Sequence, residues 1–191
     1  MGGFSFGNRR QTTYQKKGLI IIMEFERLIC ERYSVRSYKA CGVEEEKLSE
    51  IIRAATLAPT ACNNHPERVI CVKGQAMERL ASVRSVFGAP TALAVCYDPK
   101  VEWKNKRMGG KGSGEVDAAI VTTYMMLRAW ELGLGSCWIG SFDGEAVKAA
   151  LGIDPKLQLV AILALGYPAE DSQPIPMHYE NPKAEDISAE I

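Results

Sequence analysis

Two stretches constrain this chain more than any others. Thr91 to Tyr97 (TALAVCY) and Leu157 to Leu165 (LQLVAILAL) are almost unbroken apolar runs. A strand with one wet face alternates apolar and polar residues; these do not, so both read as strands buried on both faces. Around them the period changes. Phe25, Leu28, Ile29 and Arg32 recur at helical spacing, which predicts a short helix over 23–32. Gly42-Val43 opens a second helix, whose first turn of Glu44, Glu45 and Glu46 suits the positive end of a helix dipole. Leu48, Ile51, Ile52 and Ala55 form its apolar stripe, and Pro59 is expected to end it. Residues 68–73 read as a strand and 75–83 as a helix. The longest helix is expected over Glu115 to Leu132, with Val116, Ala119, Ile120, Thr123, Leu127 and Trp130 along one side. Tyr124, Met125 and Met126 add apolar surface on others. Such a helix is either the buried core of a monomer or the core of a dimer. Gly133 fits its C-cap. A short strand or extended turn over 136–142 and a helix over 144–151, stopped by Gly152, follow. Strands and helices mix without a strict βαβ beat, so the fold class is α+β.

Length allows one domain, or one domain with an extra segment, at about 150 residues per domain. Lys+Arg and Asp+Glu both number 23, so the formal net charge is zero. There is no basic excess to hold a nucleic-acid backbone, and nucleic acid is not an expected partner. The run Leu19 to Ile22 is far too short to span a bilayer, and no signal peptide is evident; a cytoplasmic protein without a membrane partner is expected. Residues 1–22 read as a non-native N-terminal extension or an overlong start, or else as an arm that packs on a partner chain. Residues 23–191 read as a single domain. Cys30, Cys41, Cys62, Cys71, Cys96 and Cys137 have mostly apolar neighbours and no C-x-x-C pair. They read as reduced and buried, a disulfide framework being the alternative. With only two histidines and no Cys/His cluster, no metal site is expected.

The polar, glycine-rich stretch 98–114 reads as a mobile loop. Its run Gly109 to Gly114 invites a phosphate-binding reading, but Gly112 stands where a P-loop needs Ser or Thr. Cys62 and His65 are close enough to suggest a nucleophile and its base, or two residues of one loop with other duties. Pro-rich residues beyond Gly166-Tyr167-Pro168 read as a surface tail.

Three stretches carry chemistry. In an extended Arg32-Tyr33-Ser34-Val35-Arg36 segment alternate side chains share a face, so Arg32, Ser34 and Arg36 converge. They form an anion site or simply an exposed basic segment. Ala58 to Pro66 is a loop of small residues in which Asn63 offers both donor and acceptor. Gly133 to Phe142 (GLGSCWIGSF) is the third.

In that order and spacing the chain resembles the nitroreductase family of FMN-dependent oxidoreductases, over roughly residues 23 to 170. The resemblance implies a central, mainly antiparallel sheet flanked by helices, in an intertwined homodimer with FMN between subunits. It implies that Arg32, Tyr33, Ser34 and Arg36 bind the flavin and its phosphate tail. Pro59, Thr60, Ala61 and Asn63 would reach the flavin of the other subunit. Trp138, Ile139, Gly140 and Ser141 would lie against the ring. Family members often carry Lys and Arg beyond the Gly-Tyr-Pro stop; here Met177-His178-Tyr179 stands there with only Lys183 downstream, so phosphate binding would lean on Arg32, Ser34 and Arg36, with His178 among the cofactor contacts. His65-Pro66-Glu67 replaces the usual Gln-Pro-Trp, and Gly140-Ser141 stands where some members have an acid. No protein side chain is then assigned a catalytic step. NAD(P)H would pass a hydride to flavin N5, and a nitroaromatic, quinone or similar small acceptor would follow in the same site, giving ping-pong kinetics. Arg32 or Arg36 would support the anionic reduced flavin electrostatically. The alternative is an FMN-binding regulatory or storage module without efficient turnover.

Overall fold

The structure is a computed structural model and describes residues 25–191. The reading of residues 1–22 as an extension lies outside the described residues.

The two apolar runs form the middle of the sheet. Strand β2 (Thr91–Tyr97) pairs antiparallel with β1 (Glu67–Lys73) on one side. On its other side it pairs with β6 (Gln158–Gly166), which in turn pairs with β5 (Gly135–Ile139). The spatial order is β1-β2-β6-β5 and every pairing is antiparallel. Alternation along the central strands then feeds two separate cores. Leu93, Val95, Leu163 and Leu165 pack against α2 (Glu45–Ala55) and α4 (Gly114–Glu131) through Leu48, Ile51, Val121 and Met125. Ala92, Ala94, Ile162 and Ala164 face the other way, onto Met77 and Leu80 of α3 (Gln75–Val83) and Val147 of α5 (Gly144–Leu151). Each large aliphatic side chain buried this way contributes about 1.5–3 kcal/mol. Both faces of the sheet are therefore dry, which is why β2 and β6 needed no polar alternation. A short α1 (Phe25–Glu31) precedes α2, and α6 (Ala184–Ile187) ends the chain's regular structure.

The free edge of β5 is covered by the segment that follows α1. Ser34 bridges in parallel to Ser136, the Val35 N–H donates to the Ser136 carbonyl at 2.9 Å, and Lys39 N–H donates to the Tyr167 carbonyl at 2.9 Å. An edge strand left bare would be a site of unwanted pairing.

Several expectations are corrected. Helix α2 stops at Ala55, short of Pro59, because the Leu57 and Ala58 N–H groups bond to Ala54 and Ala55 carbonyls and tighten the final turn. The buried face of α4 is Ala118, Val121, Thr122, Met125 and Ala129. The face predicted from apolar spacing is only partly covered, and Val116 and Tyr124 are exposed. Stretch 98–114 holds regular structure: β3 (Lys104–Asn105) and β4 (Lys111–Gly112) form a small hairpin around a 3₁₀ turn at Lys106–Met108. The cysteines are unpaired, but Cys30, Cys41, Cys62 and Cys71 are exposed and only Cys96 and Cys137 are buried. Cys71 is wet because β1 is an edge strand whose inward residue there is Val72. Cys96 fills the core as a small apolar group, and burial pushes its thiol up to about 11.

Candidate functional site

The convergence expected of Arg32, Ser34 and Arg36 follows from what happens to the residue between them. Val35 is fully buried, pinned against β5, so its neighbours turn outward. Arg32, Tyr33, Ser34 and Arg36 line one cleft of about 280 Å³. The opposite wall is Ile175, Met177, His178 and Asn181. The tail is therefore a wall of the site rather than a mere surface tail. A 3₁₀ turn at Pro176–Tyr179 places it, and Tyr33 holds it down. The Tyr33 hydroxyl donates to the Ser172 carbonyl at 3.1 Å, and its ring stands edge-on to Trp130 at 5.3 Å and to His178 at 6.3 Å.

Among the described residues the cleft has no counterion. Arg32 is half-buried, and loss of solvent alone lowers its pKa; no carboxylate opposes that effect. Arg36 donates to the Ser34 carbonyl at 3.3 Å and lies 5.9 Å from the centre of the Phe87 ring. The Ser136 hydroxyl, next to Ser34 across the bridge, is buried without a hydrogen-bond partner. Tyr38 donates to the Val35 carbonyl at 2.7 Å, and burial raises its pKa, so it stays neutral and adds no charge. Two guanidiniums and hydroxyls without an acid suit a phosphate or another oxyanion.

The other two groups lie elsewhere. Pro59, Thr60, Ala61 and Asn63 sit on a loop tied to the start of α4. The buried Asp117 carboxylate accepts from the Ala61 N–H at 2.9 Å and the Ser113 hydroxyl at 2.7 Å. Asn63 accepts from His65 across 3.0 Å when that ring nitrogen carries a proton, and the other ring nitrogen faces Glu67 at 3.0 Å. Cys62, Asn63 and His65 all have positive φ, at 52°, 56° and 50°. Non-glycine residues held so are strained, and such strain clusters at ligand sites. The Cys62–His65 nucleophile pair gains no support, since both ring nitrogens of His65 face other partners. Trp138 is partly covered at the end of β5, the Ile139 side chain is committed to the core, and Gly140 and Ser141 are exposed beyond it.

Helix α4 measures the separation. Arg32's cleft meets it at Trp130 and the Asn63 loop meets it at Asp117. At about 1.5 Å per residue these points are about 20 Å apart. Within one chain the two motifs lie near opposite ends of the helix.

Sequence reasoning missed Ile175, Met177 and Asn181. Nothing periodic marks them; only the proximity of His178 and Tyr179 to the stop at Pro168 pointed there. Among the described residues no group of three or more His, Cys, Asp or Glu side chains is placed to hold a metal ion. Among them, too, no helix is long and apolar enough to cross a membrane.

Comparison with known proteins agrees across most of the chain. The model of the nitroreductase family matches residues 29–85 and 82–167. A crystal structure of a nitroreductase family protein from Clostridium difficile 630 is 31% identical, with a TM-score of 0.81, covering 87% of this chain and 98% of that one. An FMN-dependent nitroreductase from Clostridium difficile R20291 is 29% identical with a TM-score of 0.66, covering 78% of this chain and 90% of that one. Among curated relatives, an FMN reductase [NAD(P)H] of Bacillus subtilis is 29% identical over 165 residues, covering 75% of this chain and 66% of that protein.

Proposed function

Since the chain belongs to the nitroreductase family, we propose that it is an FMN-dependent NAD(P)H oxidoreductase that reduces a small acceptor such as a nitroaromatic or quinone. The observation that carries this reading is the Arg32–Ser34–Arg36 cleft, a cationic pocket with no carboxylate of its own. Its residues fit the phosphate end of FMN. The guanidinium of Arg32 is desolvated with no opposing charge among the described residues. His178 and Asn181 supply the polar contacts on the far wall, where lysine or arginine is absent. When bound, FMN itself supplies the hydride chemistry. The chain's part is to hold, orient and bias it. Arg32 and Arg36 would favour its more negative, reduced form through their positive field. Trp138, Ile139, Gly140 and Ser141, at and just beyond the end of β5, would hold the ring. A single site that would admit donor and acceptor in turn predicts ping-pong kinetics.

The Pro59–Asn63 loop stands about 20 Å away along α4, so it serves the flavin of a second copy. The chain therefore works as a homodimer. Val116 and Tyr124, 59% and 40% exposed on a helix otherwise central to the fold, belong to the face that the second copy covers.

Two measurements on purified protein test this. Its absorption spectrum is expected to show oxidised flavin that bleaches with NADH or NADPH without oxygen. Sedimentation is expected to give a dimer. Bound flavin that neither nucleotide reduces would mark a storage or regulatory module instead, and colourless protein that takes up no added FMN would end the reading. A monomer at all concentrations would remove the shared site.

A further inference from the structure

The hairpin β3–β4 is the most one-sidedly charged part of the described fold. From Trp103 to Gly112 it carries Lys104, Lys106, Arg107 and Lys111 and no acid, in a chain whose formal net charge is zero. Lys104 is paired with Glu102 at 2.7 Å. Among the described residues, Lys106, Arg107 and Lys111 have no carboxylate within salt-bridge distance. Trp103, Lys104, Asn105, Lys106 and Arg107 line a cleft of about 390 Å³, and Trp103 is 37% exposed beside these cations.

The hairpin is also built, not loose. Glu102, nearly buried, accepts from the Gly114 N–H at 2.9 Å and fixes the hairpin base to the start of α4. The Ser113 N–H donates to the Trp103 carbonyl at 3.0 Å, and the Asn105 side chain accepts from Arg107 N–H at 3.1 Å, which shapes the basic turn. The base is bonded directly to the Asn63 loop. Asn64 donates to the Val101 carbonyl at 3.0 Å, and Asp98 N–H donates to the Pro66 carbonyl at 2.8 Å. The basic cleft thus stands at the rim of the loop that the proposed function assigns to the flavin.

We propose that this hairpin takes the phosphorylated adenosine end of the nicotinamide cosubstrate and selects NADPH over NADH. The inference rests on the oxidoreductase reading above. Trp103 offers an aromatic face to the purine, since every base has a stacking face. Arg107 offers the planar fork that matches phosphate oxygens, and Lys106 a second point charge. NADH and NADPH differ by one phosphate monoester that carries about −1.5 to −2 charges near neutrality. A cationic cleft without acids discriminates on that difference and on nothing else in the two molecules.

The test uses adenosine 2′,5′-bisphosphate and 5′-AMP as probes, titrated calorimetrically into the full-length protein, with bound FMN read by absorbance on the same sample. The bisphosphate is expected to bind at least about tenfold more tightly than AMP. The double variant Lys106→Ser, Arg107→Ser should erase that ratio, and Trp103→Ala should weaken both probes together. Equal affinity for the two probes, no binding of either, or a ratio that survives the double variant would overturn the proposal. Lys106 and Arg107 lie on the exposed 3₁₀ turn and Trp103 stands partly exposed at the hairpin base, and an unchanged melting temperature of each variant shows that the fold is intact. Flavin-loaded protein without discrimination defeats only the hairpin assignment. Colourless protein that still discriminates defeats only the flavin reading.

Discussion

Replacing Arg32 by alanine should strip most of the FMN from the purified protein. The guanidinium is half-buried in the cleft, its charge is desolvated, and no carboxylate repays that cost. A charge-assisted hydrogen bond contributes about 1.5–3 kcal/mol, so its removal should weaken FMN binding by about ten- to a hundredfold. Flavin content after desalting and fluorescence titration of the apoprotein give the number. Riboflavin, which lacks the phosphate, supplies the control: its affinity should hardly change. Arg32→Lys should recover part of the loss, since lysine keeps the charge but not the fork. Undiminished FMN content in Arg32→Ala would remove the residue from the phosphate site and leave the cleft's charge unexplained.

Gly135→Ala should damage stability and cofactor binding together. A Cβ there would lie 2.5 Å from Val35 Cγ2, 2.9 Å from Val35 Cβ and 3.0 Å from Pro168. Val35 cannot yield easily. It is β-branched, fully buried, and hydrogen-bonded through its backbone to Ser136. Overpacking of this kind costs about 1–3 kcal/mol, which for a chain of this size lowers the melting temperature by about 2–4 °C per kcal/mol. The only cheap relief is to lift the 34–38 segment off β5, and that segment carries Ser34 and Arg36. FMN affinity should therefore fall together with the melting temperature. Gly144→Ala, where an added Cβ meets nothing within 4 Å, is the matched control and should change neither. If Gly135→Ala melts like the parent and holds its flavin, the close packing of the segment on β5 is not what positions the site.

Elements were legible where one local pattern decided them. Strand β2 and helices α3 and α5 have the expected ends, because a dry strand is a continuous apolar run and Gly152 stops α5 in a left-handed turn. Helix α4 was legible as a helix but not in its orientation. It is apolar most of the way round, so spacing alone cannot say which face meets the sheet. The hairpin was invisible for the opposite reason. Strands of two residues have no period, and what orders them is the bond from the nearly buried Glu102 to Gly114. Half of the cleft shared that fate. Arg32, Ser34 and Arg36 announce themselves by alternation, whereas Ile175, Met177 and Asn181 become site residues only because Tyr33 fastens the tail.

By itself the sequence determined the period of the longer elements, the α+β class, the family and the outward convergence of Arg32, Ser34 and Arg36. These follow from local sterics and from the order of short motifs along the chain. Tertiary structure alone decided that the tail walls the cleft and that the basic stretch is a fixed hairpin beside the Asn63 loop. It also decided that the two motif groups sit at opposite ends of α4. Those facts rest on contacts between residues far apart in sequence, such as Tyr33 with Ser172 and Ala61 with Asp117. No periodicity encodes such contacts, because they form only once the sheet has fixed where each element ends.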